Sequence, residues 1–277
     1  MGLRVDAASF AFDTGGPTAL SALEAVSLSL EPGRLVLVVG ETGSGKSTLL
    51  RVAAGLLKPA SGTVTADGEP LGGRGARGAV GLVFQDAESQ LFAETVLQDV
   101  AFGPANLGLS ADTAREQAGL ALERVGLDPV AYGGRSPFHL SGGEARRVAI
   151  AGVLAMRPRY LLFDEPTAGL DARGRRAVRE IVAAERQRGG VVVVSHSAEE
   201  FFDDADEVLM LSDGRTVFDG APRELLAAPD AFEAAGLRAP EVLRVIELGR
   251  KHGLVIRPAS LGSEAVAEAI EAAGGRS

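Results

Sequence analysis

The chain has 277 residues, 46% of them hydrophobic, a formal net charge of −9 at pH 7 and no cysteine. That is room for one large domain plus an extension, and it excludes a disulfide framework and thiolate chemistry. The acidic balance argues against nucleic acid as the main partner, and no apolar run approaches the roughly 18 residues of a membrane span, so any membrane role is expected to come through a partner. The N-terminal stretch, with Asp6 and Asp13, lacks a signal-peptide layout, and a cytosolic location is compatible with the missing cysteines.

Residues 3–12 and 26–39 read as β-strands, with a loop of Gly, Pro, Thr and Ser between them. The second run ends in Leu35–Val39 and meets Gly40-Glu41-Thr42-Gly43-Ser44-Gly45-Lys46-Ser47-Thr48. A helix follows over 46–57. Strand, glycine loop and helix form the context of a phosphate-binding loop. The glycines let backbone N–H groups turn inward around a phosphate chain, and the helix N-terminus adds partial positive charge. Lys46 is placed to reach β- and γ-phosphates, and Ser47 to bind Mg²⁺. Only three of the 28 basic residues are lysines (Lys46, Lys58 and Lys251), so a lysine in this loop suggests a need for a compact ammonium.

Short strands are predicted at 63–66 and 79–84, and a helical region from about 88 to 158, broken by Gly-Pro and Gly-Gly. Apolar runs return at Tyr160–Phe163 and Val191–Val194, separated by a charged helix over 172–188. Unbroken apolar strands flanked by helices imply an α/β fold with a parallel sheet covered on both faces. A hairpin is predicted over 207–218 around Ser212-Asp213-Gly214, and an alanine-rich helical tail follows Pro222. In that tail Leu243, Ile246 and Leu248, then Val266 and Ile270, form apolar faces. They serve either a subunit interface or their own chain.

The strand Tyr160–Phe163 ends in Asp164-Glu165. A carboxylate at the C-terminal end of a buried strand can complete a Mg²⁺ shell, which is the expected role of Asp164. Glu165 is the expected general base for an attacking water. Upstream, Leu140-Ser141-Gly142-Gly143-Glu144 opens a helix, a second candidate anion site that is also compatible with an ordinary turn.

Loop, acid strand and Ser-Gly-Gly segment together resemble the ATP-binding cassette (ABC) family of P-loop NTPases. The resemblance implies an ATPase core over 1–221 with its helical subdomain at about 88–158, and a helical extension over 222–277. It makes Gln85 a Mg²⁺ contact and hinge to the helical subdomain. Ala168-Gly169-Leu170-Asp171 matches the family's D-loop, and His196 its switch histidine that contacts the γ-phosphate. Phe12 stands where the family stacks an aromatic on adenine, with core packing of Phe10 or Phe12 the rival reading. Glu144 replaces a common glutamine at a contact to the partner's nucleotide. The family mechanism sandwiches two ATP molecules between two subunits, identical or homologous, each phosphate loop facing the other's Ser141–Gly143 segment.

Gln90-Leu91-Phe92 and Asp99-Val-Ala-Phe-Gly103-Pro104, with Ala145-Arg146-Arg147-Val-Ala-Ile-Ala-Gly152, are similar to the energy-coupling factor (ECF) branch, including its cobalt and nickel type. Ala239-Pro-Glu-Val-Leu-Arg in the tail is similar to that branch's C-terminal extension. Ala87-Glu88-Ser89 departs from the branch's usual Asn, Pro and Asp. The branch implies ATP and Mg²⁺ as cofactors and uptake of a vitamin or a cobalt or nickel ion. Its expected partners are a transmembrane coupling subunit and a membrane substrate-binding subunit, at the cytoplasmic face of the membrane. Asp99, with Glu94 second, is then the acid expected to meet an arginine of the coupling subunit. Another ABC importer, or a soluble non-transport ABC ATPase, are the alternatives.

Overall fold

The computed structural model describes residues 1–13, 20–73, 76, 78–226, 228, 230–238, 240–253, 256 and 263–274. Its centre is a six-stranded sheet in the order β10-β9-β3-β8-β7-β6. The strands are β3 Leu35–Val39, β6 Val80–Val83, β7 Tyr160–Asp164, β8 Gly190–Val194, β9 Glu207–Ser212 and β10 Arg215–Gly220. All neighbours pair in parallel except β10, which runs antiparallel to β9 at the edge. Every residue of β3, β7 and β8 is buried. That follows from covering both faces, and it explains why these strands read as unbroken apolar runs.

Strand alternation divides the core in two. Leu35, Leu37, Val39, Leu161, Phe163, Val191 and Val193 face one side, against α2 Val96–Asn106, α3 Ala111–Arg124, α5 Gly142–Ala155, α6 Ala172–Arg186 and part of the C-terminal extension. Val36, Val38, Tyr160, Leu162, Val192 and Val194 face the other, against α1 Lys46–Ala53 and a second sheet. That sheet is antiparallel, in the order β2-β1-β4-β5, from β1 Leu3–Phe12, β2 Leu20–Leu30, β4 Ser61–Ala66 and β5 Glu69–Pro70.

The predicted strand over 26–39 is therefore two strands in different sheets. A turn at Pro32-Gly33, with Gly33 at φ 82, separates β2 from β3, and β2 begins earlier, at Leu20. Residues 14–19 of the predicted loop lie outside the described residues. The helix predicted to reach residue 57 stops at Ala53. There Gly55 at φ 72 donates to Val52 O and Leu56 donates to Arg51 O, a Schellman ending that stops further winding. The hairpin forms as expected: Asp213 (φ 48) and Gly214 (φ 74) are the two residues between β9 and β10, both left-handed as a type I′ turn requires.

The extension comprises α7 Pro222–Leu225, α8 Asp230–Ala234, α9 Glu241–Lys251 and α10 Ser263–Gly274. Leu225, Phe232, Leu243 and Ile246 are buried in the same core as α2, α3 and α5, and Val266 is buried too. Most of the tail's apolar face thus folds back on its own chain, leaving Val245 and Leu248 outward. Among the described residues no helix is long and apolar enough to cross a membrane.

At the sheet edge, burial and a hydrogen bond with Asp219 push the Glu207 carboxyl up to about 7. A carboxyl raised in the fold favours its protonated form there, so this contribution is complete below the ordinary carboxylate range. It is lost as pH rises through about 7. Glu207→Gln mimics the neutral form. In thermal melts its stability relative to wild type should grow by a few °C between about pH 5 and pH 8; a pH-independent difference would contradict the assignment.

Candidate nucleotide site

The parallel register brings the C-terminal ends of β3, β8 and β7 to one rim, where ligands of open α/β sheets bind. β3 delivers the loop over 40–48. Gly45 caps α1 at φ 102, and a Cβ there would sit 2.4 Å from Ala22 O, so only glycine fits. Glu41, Thr42 and Gly43 are exposed, while Gly40, Ser44, Lys46 and Thr48 are buried. Ser44 Oγ is buried without a hydrogen-bond partner, an orphaned group that a phosphate oxygen would satisfy.

Lys46 Nζ donates to Gly40 O at 2.8 Å and to Glu41 O at 2.7 Å. Burial holds its pKa below the usual lysine value, opposed by the charges of Glu165 and Asp164. A phosphate chain in the loop would offer this ammonium better oxygens than neutral carbonyls.

Ser47 Oγ donates to Asp164 Oδ1 at 3.0 Å. Burial raises the Asp164 pKa, the Ser47 hydrogen bond lowers it, and the Glu165 charge raises it further, for a net rise. A hydroxyl and a buried carboxylate side by side are the hard oxygen donors that suit Mg²⁺, which takes few protein ligands alongside phosphate. Such an ion would favour the ionised form of Asp164.

Glu165 adopts φ 47, and its N–H donates to Val194 O at 3.0 Å. A left-handed non-glycine residue costs on the order of 1–3 kcal/mol and is found where a side chain must be aimed. Its Oε2 lies 3.6 Å from His196 Nδ1. Glu165 and His196 therefore meet at the mouth of the rim, with His196 exposed. Gln85 follows β6, whose Val83 pairs with Phe163, so it emerges at the same end of the sheet and is exposed.

Ser141–Glu144 lie elsewhere. Ser141 caps α5, its Oγ accepting from Glu144 N–H, while Glu144 Oε2 accepts from Ser141 N at 2.8 Å and Ser141 Oγ at 2.7 Å. Tyr132 donates to Glu144 Oε1 at 2.8 Å. The Ser141 hydroxyl and N–H, with Tyr132, pull the Glu144 pKa down to about 2. Both carboxylate oxygens are thus engaged within the chain, whereas a Cβ on Gly142 or Gly143 would meet nothing within 4 Å. Asp171 likewise caps α6, accepting from Gly174 N–H at 2.7 Å. Ser141–Glu144, Asp171 and Gln85 line a cleft of about 730 Å³, and no residue of 40–48 lines it. The 40–48 loop and this cleft thus share no lining residue.

Phe10 and Phe12 meet edge to face, centroids 4.9 Å apart. Phe10 packs on the core, while Phe12 is 37% exposed. Asp99 Oδ2 accepts the N–H groups of Phe92 and Ala93, each at 2.8 Å, so this acid fastens its own loop; Glu94 is exposed. Beside them runs a groove of about 370 Å³ lined by Phe84, Leu91, Phe92, Asp99, Phe102 and Met156, among others. Sequence reasoning missed the roles of Tyr132 and of Arg146, which is buried. The available signal was a charged side chain on the inward face of α5.

A model of the ABC transporter family matches residues 23–168. The energy-coupling factor transporter ATP-binding protein EcfA2 of Symbiobacterium thermophilum is 47% identical over 264 residues, covering 93% of this chain and 91% of that protein. Its namesake from Geobacillus kaustophilus is 42% identical over 271 residues, covering 94% and 93%. Among solved structures, CbiO1 of Clostridium perfringens, part of the ABC transporter complex CbiONQ, aligns with TM-score 0.71 at 32% identity, covering 88% of this chain and 98% of that one. The dimeric cassette MJ0796 in a post-hydrolysis state with ADP and Pi aligns with TM-score 0.69 at 28% identity, covering 80% and 99%.

Glutamine at position 165 keeps the shape of the side chain but is a poor base. Glu165→Gln should bind ATP with near wild-type affinity, lose on the order of 10²–10⁴-fold in turnover, and elute as an ATP-dependent dimer in size-exclusion. Unimpaired hydrolysis would remove Glu165 from the base role.

Proposed function

This chain belongs to the ABC transporter family, and from that premise we propose that it is the ATP-hydrolysing subunit of an ECF-type transporter importing a micronutrient, a vitamin or a cobalt or nickel ion. The observation that supports the reading is that the 40–48 loop and the cleft lined by Ser141–Glu144 share no residue, so a phosphate chain held by the loop leaves that cleft to meet another chain. Closure requires a second copy or a homologous ATPase. ATP then lies between one chain's 40–48 loop and the other's Ser141–Gly143 segment.

In that arrangement Lys46 exchanges the Gly40 and Glu41 carbonyls for β- and γ-phosphate oxygens. Ser47 and Asp164, with Gln85 at the hinge, would hold Mg²⁺, which neutralises phosphate charge. Glu165 accepts the proton of the attacking water, and His196 donates a hydrogen bond towards the γ-phosphate. Phe12 stacks on the adenine. These groups position and stabilise the charge that develops on the transferred phosphoryl group.

The groove beside Asp99 supports membrane coupling. Phe92 and Phe102 line it edge to face, centroids 4.8 Å apart, and remain 57% and 50% exposed. A transmembrane coupling subunit seats a helix there, with Glu94, and the face of Asp99 that its loop bonds leave free, available to an arginine. A separate membrane subunit binds the cargo, and this chain sits peripherally at the cytoplasmic face.

Two measurements test this. Purification from detergent-solubilised membranes should recover membrane subunits; recovery of ribosomes or nucleic acid instead would favour a non-transport ATPase. In vesicles reconstituted with those subunits, Phe102→Asp should reduce uptake by about tenfold or more, while the isolated chain still hydrolyses ATP. Full uptake by that variant would exclude the groove as the coupling surface.

A further inference from the structure

Arg146 lies in α5, shortly after the Ser141 cap, and is only 5% exposed. A guanidinium at that depth is tolerated only if its donors are met. Nε and one terminal nitrogen donate to the two oxygens of Glu88 at 3.1 and 2.8 Å, a bidentate pair. The other terminal nitrogen donates to Pro166 O at 3.2 Å and Ala168 O at 2.9 Å. Glu88 sits in the 3-10 turn Ala87–Gln90, just after Gln85. Pro166 and Ala168 lie between Glu165 and Asp171. One side chain therefore ties the turn behind the hinge glutamine, the helix behind the Ser141–Gly143 segment, and the backbone that carries the base into Asp171.

We propose that Arg146, clamped by Glu88, is a positioning residue for ATP hydrolysis: it transmits displacement of the Gln85 turn to the Glu165–Asp171 segment and to the Ser141 helix together. The three segments belong to different parts of the fold. The Gln85 turn leaves the sheet, α5 belongs to the helical subdomain, and Pro166–Asp171 follow β7 in the core. A planar fork with separate donors can hold a carboxylate on one edge and two carbonyls on another. A lysine ammonium cannot reproduce that geometry. Burial works against the charged form of Glu88, yet the hydrogen bonds and charge of Arg146 keep its pKa below the usual value, consistent with an ionised clamp. Arg146 touches none of the residues of the 40–48 loop in these hydrogen bonds, so the clamp governs alignment for turnover rather than capture of ATP.

The test uses the full chain and separates capture from turnover. It rests on the ATPase reading alone, so failure of the transport assignment would leave it intact. Glu88→Gln keeps the shape and removes the charge. Arg146→Lys keeps the charge and removes the fork. Binding of a fluorescent ATP analogue should stay within about threefold of wild type in both, while kcat falls about tenfold with KM little changed. The double variant should be no slower than the worse single one, because both break one clamp. If Arg146→Lys fails to fold, Glu88→Gln alone decides, since Glu88 is a third exposed on its side chain at 33%. Wild-type kcat in Glu88→Gln, a parallel loss of ATP affinity, or additive losses in the double variant would overturn the proposal.

Discussion

An ammonium 6% exposed must be surrounded by oxygen, and Lys46 imposes that requirement on everything around it. The loop meets it with the Gly40 and Glu41 carbonyls, and the neighbouring strand with the charges of Asp164 and Glu165. Those carboxylates can face Lys46 only because β7 and β3 flank β8 in parallel register, so that all three strands end at one level. Asp164 is itself desolvated and leans on Ser47. The rim is thus charged and short of partners, with the Ser44 hydroxyl unsatisfied. A polyanion with a divalent cation resolves each of these shortages together, which is a physical reason for the site to bind nucleotide rather than merely resemble one that does.

The helical subdomain is fixed to this rim by two arginine–carboxylate pairs with different surroundings. At its far end Arg124 of α3 makes a two-pronged contact with buried Glu185 of α6, and Arg188 approaches the same carboxylate at 3.3 Å. Near the nucleotide, Arg146 joins Glu88 and two backbone carbonyls. The first pair holds helix against helix at the rear. The second holds loops that carry reactive groups. Through Pro166 and Ala168 the second contact also bears on the segment between Glu165 and Asp171.

What was legible in the sequence follows from burial. β7 and β8 are covered on both faces, so their apolar runs could be read directly, as could the loop whose glycines and lysine have fixed chemical tasks. The second sheet was legible in part: β1 lies at its expected bounds, Leu3–Phe12, while β2 did not separate from β3. β2 alternates buried and exposed positions up to Leu30 and then runs, after one short turn, into the solidly buried β3, so the two merged into a single predicted strand. β1 kept its expected bounds even though register shifts and Ala7 at φ 45 interrupt it. Asp99 illustrates a different limit. Its side chain accepts the N–H groups of Phe92 and Ala93 in its own loop, local bonds that the letter at position 99 does not reveal. Arg146 was visible as a letter and invisible as a clamp, because its partners are distant in sequence and two of them are backbone.

The second half-site shows why ATP, rather than side-chain contacts, is suited to join two chains. Glu144 and Asp171 look like groups that would reach across an interface, yet each caps a helix of its own chain. What remains outward at the start of α5 is the helix N-terminus with Gly142 and Gly143, where no side chain stands in the way. Such a surface has partial positive charge and free N–H groups but little apolar area, so it has weak affinity for another protein and a specific one for an anion. In the proposed dimer, a γ-phosphate on the loop of one chain would supply that anion to the other. The dimer would then depend on the substrate, as a coupling of hydrolysis to movement requires.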